Sequence, residues 1–265
     1  MRLITFLPPG GDQPLAGEVR DDQAVAFADG TTVLDRLASG DRSPATGDSF
    51  PLDDVTLLAP VPRPRAILAI GLNYVAHIDE GEVADEPPEK PIVFVKLPAA
   101  SVPPSGPVKK PAVTEKLDYE GELAVVMGPD NTVAGYAVAN DVSARDLQRS
   151  EQQWVRGKGA DTFCPWGPWI TTADEVPDPE NLWLKTWVNG DLRQDGSTKD
   201  LIFKIDKLIS FITETCSLTP GDLILTGTPA GVGVYMDPPG LLNPGDVVRI
   251  EIEGLGAIEH PVVAA

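Results

Sequence analysis

Residues 117–126 read LDYEGELAVV, a strand-like run with two glutamates at its start. Successive strand side chains point to opposite faces, so Glu120 and Glu122 share one face, about 7 Å apart along the chain. Two carboxylates side by side repel each other, and an ordinary half-buried strand has no reason to crowd them. Downstream, GYAVANDVSARDLQ (135–148) places Asp141 after a second apolar strand and before a helix-like run. Sequential strands are neighbours in about two-thirds of cases, so pairing of these two would bring Glu120, Glu122 and Asp141 together. Hard divalent cations such as Mg²⁺ take oxygen ligands from a few carboxylates. Taken alone, the Glu-x-Glu spacing favours a solvated strand face with basic neighbours. Zinc is a poor fit, because the chain has only two histidines, His77 and His260, far apart.

The 265 residues fit one large domain or two unequal ones, and 42% apolar content is that of a globular protein. Gly 25 and Pro 27 are both high, which favours a β-rich architecture with many turns. A net charge of −19 argues against nucleic acid and anionic membrane as partners. No apolar run approaches the ~20 residues that span a bilayer. The N-terminal MRLITFLPPGGD reads as a strand and turn rather than a signal peptide, so a cytoplasmic protein is expected. Cys164 and Cys216 match no paired-ligand spacing, and Cys216 is expected to pack as a small apolar residue.

Residues 1–60 alternate short strands with turns and one helix-like run, TTVLDRLAS (31–39), and end in a Gly/Pro/Asp-rich stretch. That shift in composition predicts a small N-terminal unit over 1–60 and a larger one over 61–265. The larger part is read as short strands plus two helical stretches, DLQRSEQQWVRG (146–157) and LIFKIDKLISFITETC (201–216). In the second, Ile202, Ile205, Ile209 and Ile212 recur at helical spacing.

Three other constellations carry chemistry. His77 and Glu80 stand three apart, so on a helix the carboxylate can orient the imidazole and raise its basicity. The Pro- and acid-rich segment after them has the composition of a lid. Lys158 lies between two glycines in RGKGADTF (156–163), where the backbone can bend close to a ligand. LTGTPAGVG (225–233) lacks the ending of a phosphate loop, which rejects nucleotide binding, but it offers N–H groups and the Thr228 hydroxyl. Each of these, alone, is also compatible with an ordinary surface turn or loop. His260, beside Pro261, is expected at the surface.

The order of the motifs is more specific than any one of them. GLNYxxHxxE (71–80), LDYEGELAVVMG (117–128), NDVSARDLQ (140–148), GKGADTFCPWGPW (157–169), NGDLRQDGSTKDLIF (189–203), LTPGDLILTGTPAGVG (218–233) and LNPGDVVRIEIEGLG (242–256) together resemble the fumarylacetoacetate hydrolase family. The resemblance runs from about residue 65 to residue 260. It implies a mixed α/β, β-rich fold, a β-sandwich roll catalytic domain behind a small N-terminal α+β domain, usually as a homodimer. It also implies Mg²⁺ or Mn²⁺ on Glu120, Glu122 and Asp141, with His77 and Glu80 activating water and Lys158 beside the metal. Tyr74, Gln148, Arg193 and Thr228 fall in motifs that approach the substrate. The implied activity is metal-dependent hydrolysis of a carbon–carbon bond in a β-diketone or 2,4-diketo acid. Two other outcomes of the same site are oxaloacetate decarboxylation and isomerisation of the 2-hydroxyhepta-2,4-diene-1,7-dioate type. A non-enzymatic metal- or metabolite-binding protein is the reading from another class. Two departures bear on the substrate: Leu72 stands where many acylpyruvate-cleaving members have arginine, and Gly159 and Ala160 are expected to leave a roomier wall beside Lys158.

Overall fold

The computed structural model describes residues 1–81 and 86–265. Its centre is a pair of long antiparallel strands, Gly121–Met127 and Val133–Asn140, buried throughout except at Val133. Their near-continuous apolar composition suits burial on both faces rather than alternation. The register sets Gly121 opposite Asn140 and Glu122 opposite Ala139, which leaves Glu120 and Asp141 at the same end of the pair.

The large sheet grows outward on both sides of this pair. On one side come Leu223–Leu225, Ile67–Gly71 and Ile92–Lys96; the first two of these run parallel, and the other pairings are antiparallel. On the other side come Cys164–Thr172, Arg2–Leu7, Leu15–Arg20, Gln23–Ala26 and Ser49–Pro51. A second sheet is ordered Asp191–Ser197, Trp183–Val188, Val247–Ile252, Gly256–Ala264, Val108–Lys110. The two sheets meet in one apolar core that includes Leu123, Val125, Val138, Leu184, Ile250 and Ile258. Gly121 sits where they touch: a Cβ there would collide with Thr186 Oγ1 and press on Ile250 and Leu184.

Residues 1–60 are built into this architecture. Arg2–Leu7 pairs with Cys164–Thr172, and the N-terminal ammonium donates to Thr172 Oγ1 at 2.6 Å. Leu3, Val25, Phe27, Val33 and Leu37 belong to the main core, while Ile4, Phe6, Val19, Ala24 and Ala26 form a smaller one. The helix Val33–Ser39 has a capping box between Thr32 and Asp35 and ends at Gly40 in the left-handed conformation, φ 69°.

Several local expectations change. The stretch 146–157 is two short helices, Arg145–Ser150 and Val155–Lys158, because Glu151 turns extended (φ −115°, ψ 146°) and pairs with Arg156. The later helix is Ile205–Thr213, which buries Ile205, Leu208 and Ile212 and leaves Ile202 ahead of it. His260 is not at the surface. The strand Gly256–Ala264 alternates, and Ile258, His260 and Val262 face inward. Cys216 is exposed beyond its helix rather than packed, and Cys164 is buried. Residues 82–85, in the segment read as a lid, lie outside the described residues.

Candidate metal centre and active site

Glu120, Glu122 and Asp141 converge, with one carboxylate oxygen from each lying within 4.8 Å of the others, and all three are buried. Backbone bonds fix the convergence. Asp141 N–H donates to Glu120 O at 2.9 Å, and Glu120 N–H donates to the Asn140 side-chain oxygen at 3.0 Å. The Asn140 amide in turn lies 2.9 Å from His260 Nε2. Because Asn140 Oδ1 already accepts from Glu120, its NH₂ donates and His260 Nε2 accepts. Burial pushes His260 down to about 3, so it stays neutral as this bond requires.

Three buried cations surround the cluster. Lys158 Nζ donates to Glu120 at 2.6 Å and to Asp141 at 2.9 Å. Arg145 bonds Glu120 at 2.6 Å and Asp118 at 2.9 Å. Lys96, fully buried, donates to Asp141 and to the carbonyls of Val142 and Lys158. Burial opposes ionisation of Glu120, but Lys158 and then Arg145 outweigh it and hold the carboxyl well below the usual range. Burial likewise opposes the charge of Lys158, and Asp141 and Glu120 outweigh it to raise its basicity. Glu122 differs. Burial, then repulsion from Asp141 and Glu120, pushes its carboxyl well above the usual range. Among the described residues its hydrogen bond comes from Gly227 N–H at 2.7 Å, and no basic side chain pairs with it. Three hard oxygen donors, one of them an uncompensated buried carboxylate, are a set that a divalent cation fits.

The second half of the site stands on the helix Val75–Gly81. Leu72, at φ 55°, turns the chain, and Asn73 pins the turn by bonds to Phe203 and Thr226. His77 Nδ1 lies 2.7 Å from Glu80 Oε1, and Glu80 Oε2 accepts from Gly231 N–H at 2.7 Å. With Nδ1 donating to Glu80, Nε2 is left as the acceptor. The same Gly-rich loop is held by Asp118, which accepts from Gly233 N–H at 2.8 Å and Val234 N–H at 3.1 Å. Thr228 donates to Gly121 O at 3.0 Å and accepts from Gln194 at 2.8 Å.

A cavity of about 350 Å³ joins the two halves. Of the residues singled out from sequence, His77, Glu120, Glu122, Gln148, Lys158 and Thr228 line it. Glu80 and Asp141 stand behind this wall as partners of His77 and Lys158. Tyr74 and Arg193 are elsewhere among the described residues: Tyr74 is buried with an unpartnered hydroxyl, and Arg193 pairs with Asp191 and contacts Met236. Leu72 lines the cavity, so the Leu-for-Arg departure puts an apolar group on its wall. Gly159 and Ala160 do not widen it; they border a separate recess with Leu97 and Val155, and a Cβ on Gly159 would press on Val155 O at 2.8 Å.

Three residues that matter here were not singled out from the sequence: Lys96, Asp118 and Arg145. Arg145 sits inside a motif already quoted, but a charge that opens a helix reads as solvated until the fold buries it. Its Nη2 is buried with no partner, and the residue lines the cavity.

The family model described as fumarylacetoacetate (FAA) hydrolase C-terminal matches residues 66–263. Oxaloacetate tautomerase FAHD2B, mitochondrial, of Bos taurus is 45% identical over an alignment of 290 residues, covering 99% of this chain and 92% of that one. Among solved structures, a fumarylacetoacetate hydrolase from psychrophilic Exiguobacterium antarcticum superposes with a TM-score of 0.88 at 36% identity, over 100% of both chains. A 2-hydroxyhepta-2,4-diene-1,7-dioate isomerase from Mycobacterium marinum gives 0.81 at 38% identity, covering 100% of this chain and 98% of that one.

Proposed function

Given that the chain belongs to the fumarylacetoacetate hydrolase family, we propose that it enolises a small 2-oxo diacid of the oxaloacetate class, with Mg²⁺ or Mn²⁺ at the carboxylate cluster. The observation that carries this reading is the placement of His77 on the wall of the cavity that Glu120, Glu122 and Lys158 also line. Two of the three relatives above are named for proton transfers next to an oxo group, a tautomerase and an isomerase, with diacids as the named substrates. The third is named a hydrolase and bears on the second reading below.

A divalent cation on Glu120, Glu122 and Asp141 would supply Lewis-acid polarisation of the oxo group. The chain's own residues supply the rest. His77 Nε2 takes the proton from the carbon beside the oxo group, while Glu80 stabilises the resulting imidazolium through Nδ1–H. Lys158 has three N–H donors; two go to Glu120 and Asp141, and the third is available to the developing enolate oxygen. The unpartnered Nη2 of Arg145 suits the adjacent carboxylate of the substrate. Return of the proton from His77 to the enolate oxygen gives the enol and completes the tautomerisation, and the same steps in reverse turn enol into keto acid.

A second reading, hydrolytic carbon–carbon cleavage of a 2,4-diketo acid, is favoured by Glu80. Its two anchored oxygens make the His77–Glu80 pair a rigid general base for water as well as for carbon. Product analysis with oxaloacetate, an acylpyruvate and a muconate-type diacid separates the outcomes. Tautomer interconversion without new carboxylate supports the first reading; ¹⁸O from water in a new carboxylate supports the second; release of carbon dioxide marks decarboxylation and counts against both. Replacing His77→Gln should slow turnover by ~10²–10⁴-fold, the usual contribution of a positioned general base. Unchanged turnover would remove His77 from the chemistry.

A further inference from the structure

Arg145 and Arg149 stand four residues apart on the helix Arg145–Ser150, so their side chains share a face, with Cβ atoms about 5–6 Å apart. Both line the cavity, but their surroundings differ. Arg145 is 4% exposed and committed to Asp118, Glu120 and Gln148. Arg149 is exposed at the solvent side of the same wall, and among the described residues no carboxylate pairs with it. Glu151, the acid nearest in sequence on that wall, is paired with Arg156. The Arg149 guanidinium lies 5.5 Å from the centre of the Tyr235 ring, and that ring lies 6.1 Å from the His77 ring. An aromatic thus braces Arg149 beside the space that His77 faces.

We propose that Arg149 is a specificity-determining residue that binds the outer carboxylate of a 2-oxo diacid, so that the cavity prefers diacids over monoacids with the same reacting end. This rests on the enolisation reading, which places the oxo acid end at Lys158 and Arg145. One helical turn outward from Arg145 is about the length of a four-carbon diacid, and Arg149 presents a planar fork suited to a carboxylate there.

The test is calorimetric binding to the Mg²⁺-loaded protein of two probes that differ at the outer end. 3,3-Difluorooxaloacetate has the second carboxylate and 3,3-difluoro-2-oxobutanoate has a methyl group in its place, and neither can enolise. Arg149→Gln should weaken the diacid about tenfold and leave the difluoro monoacid within twofold. Arg149→Lys should keep most of the diacid affinity, with a steeper loss in salt. Equal weakening of both probes, unchanged diacid binding in Arg149→Gln, or equal affinity of the unaltered protein for the two probes would each overturn the assignment. Turnover of oxaloacetate is scored separately. Diacid binding without catalysed enolisation removes the functional reading and leaves Arg149 judged by binding; catalysis with normal diacid affinity in Arg149→Gln removes Arg149 alone.

Discussion

At the scale of single residues, Glu122 and His260 make opposite demands on the fold. Glu122 is an ionisable group buried against two other acids. Removing its charge by Glu122→Gln should raise the melting temperature of chelator-treated protein, by roughly 2–4 °C for each kcal/mol of repulsion relieved. The same change should abolish most of the stabilisation that Mg²⁺ gives, and a variant that melts as the unaltered protein does, with and without metal, contradicts this account of the cluster. His260 is held neutral, pushed from 6.5 down to about 3 by burial. The unfolded chain therefore binds a proton first as the pH falls. The stability tied to neutral His260 is fully present above about pH 6.5 and is lost between there and about pH 3, by about 1.4 kcal/mol per unit. Relative to His260→Gln, the unaltered protein should lose denaturant stability faster on acidification across that window; parallel profiles would refute the buried-neutral assignment. Legibility at this scale was uneven. The crowding of Glu120 and Glu122 drew attention to them, but alone it favoured a solvated face, and it was the order of the motifs around them that pointed to Glu120, Glu122 and Asp141 as a set. Lys96 could not be found, since a lysine closing PIVFVK looks like any solvated flank, and its three acceptors come from segments 45 or more residues away.

At the scale of elements, the site depends on segments that are irregular by themselves. Asp118, on the two-residue strand Leu117–Asp118, ties the Gly-rich loop to the helix that carries Arg145. Asp118→Ala would leave the Arg145 guanidinium short of a buried partner, and loss of one member of such a pair costs about 3–5 kcal/mol. Urea denaturation should show that loss; a change under about 1 kcal/mol would mean that the loop is held by something else. Gly121→Ala tests the contact between sheets, because its Cβ has nowhere to go but into Thr186, Ile250 and Leu184. The strands were readable from apolar runs and turn residues, and so was the pairing of Gly121–Met127 with Val133–Asn140. Pairings between strands far apart in the chain, such as Arg2–Leu7 with Cys164–Thr172, had no local signal. A histidine beside a proline near the C-terminus suggests the surface, yet His260 is buried, as the alternation Ile258, His260, Val262 on one face of the strand allows. The break at Glu151 had no signal, as nothing in SEQQW disfavours a continuous helix.

At the scale of the whole molecule, residues 1–60 bear on the stability of the rest. They pair with Cys164–Thr172 and contribute Leu3, Val25, Phe27, Val33 and Leu37 to the main core. A chain of residues 61–265 would expose an unpaired sheet edge and an apolar face, so it should aggregate on expression rather than melt cooperatively. A soluble, cooperatively folding 61–265 would show that the composition shift near residue 60 divides independent units. Among the described residues no helix is long and apolar enough to cross a membrane. The central claim is that one cavity unites a divalent-cation site with a His77–Glu80 base to enolise a 2-oxo diacid. Its most direct test is the rate of enol–keto interconversion of oxaloacetate with Mg²⁺, with chelator, and with His77→Gln. Catalysis that needs Mg²⁺ and falls by ~10²-fold or more in His77→Gln is the predicted result; catalysis indifferent to chelator and to His77, or none above the buffer rate, would contradict it.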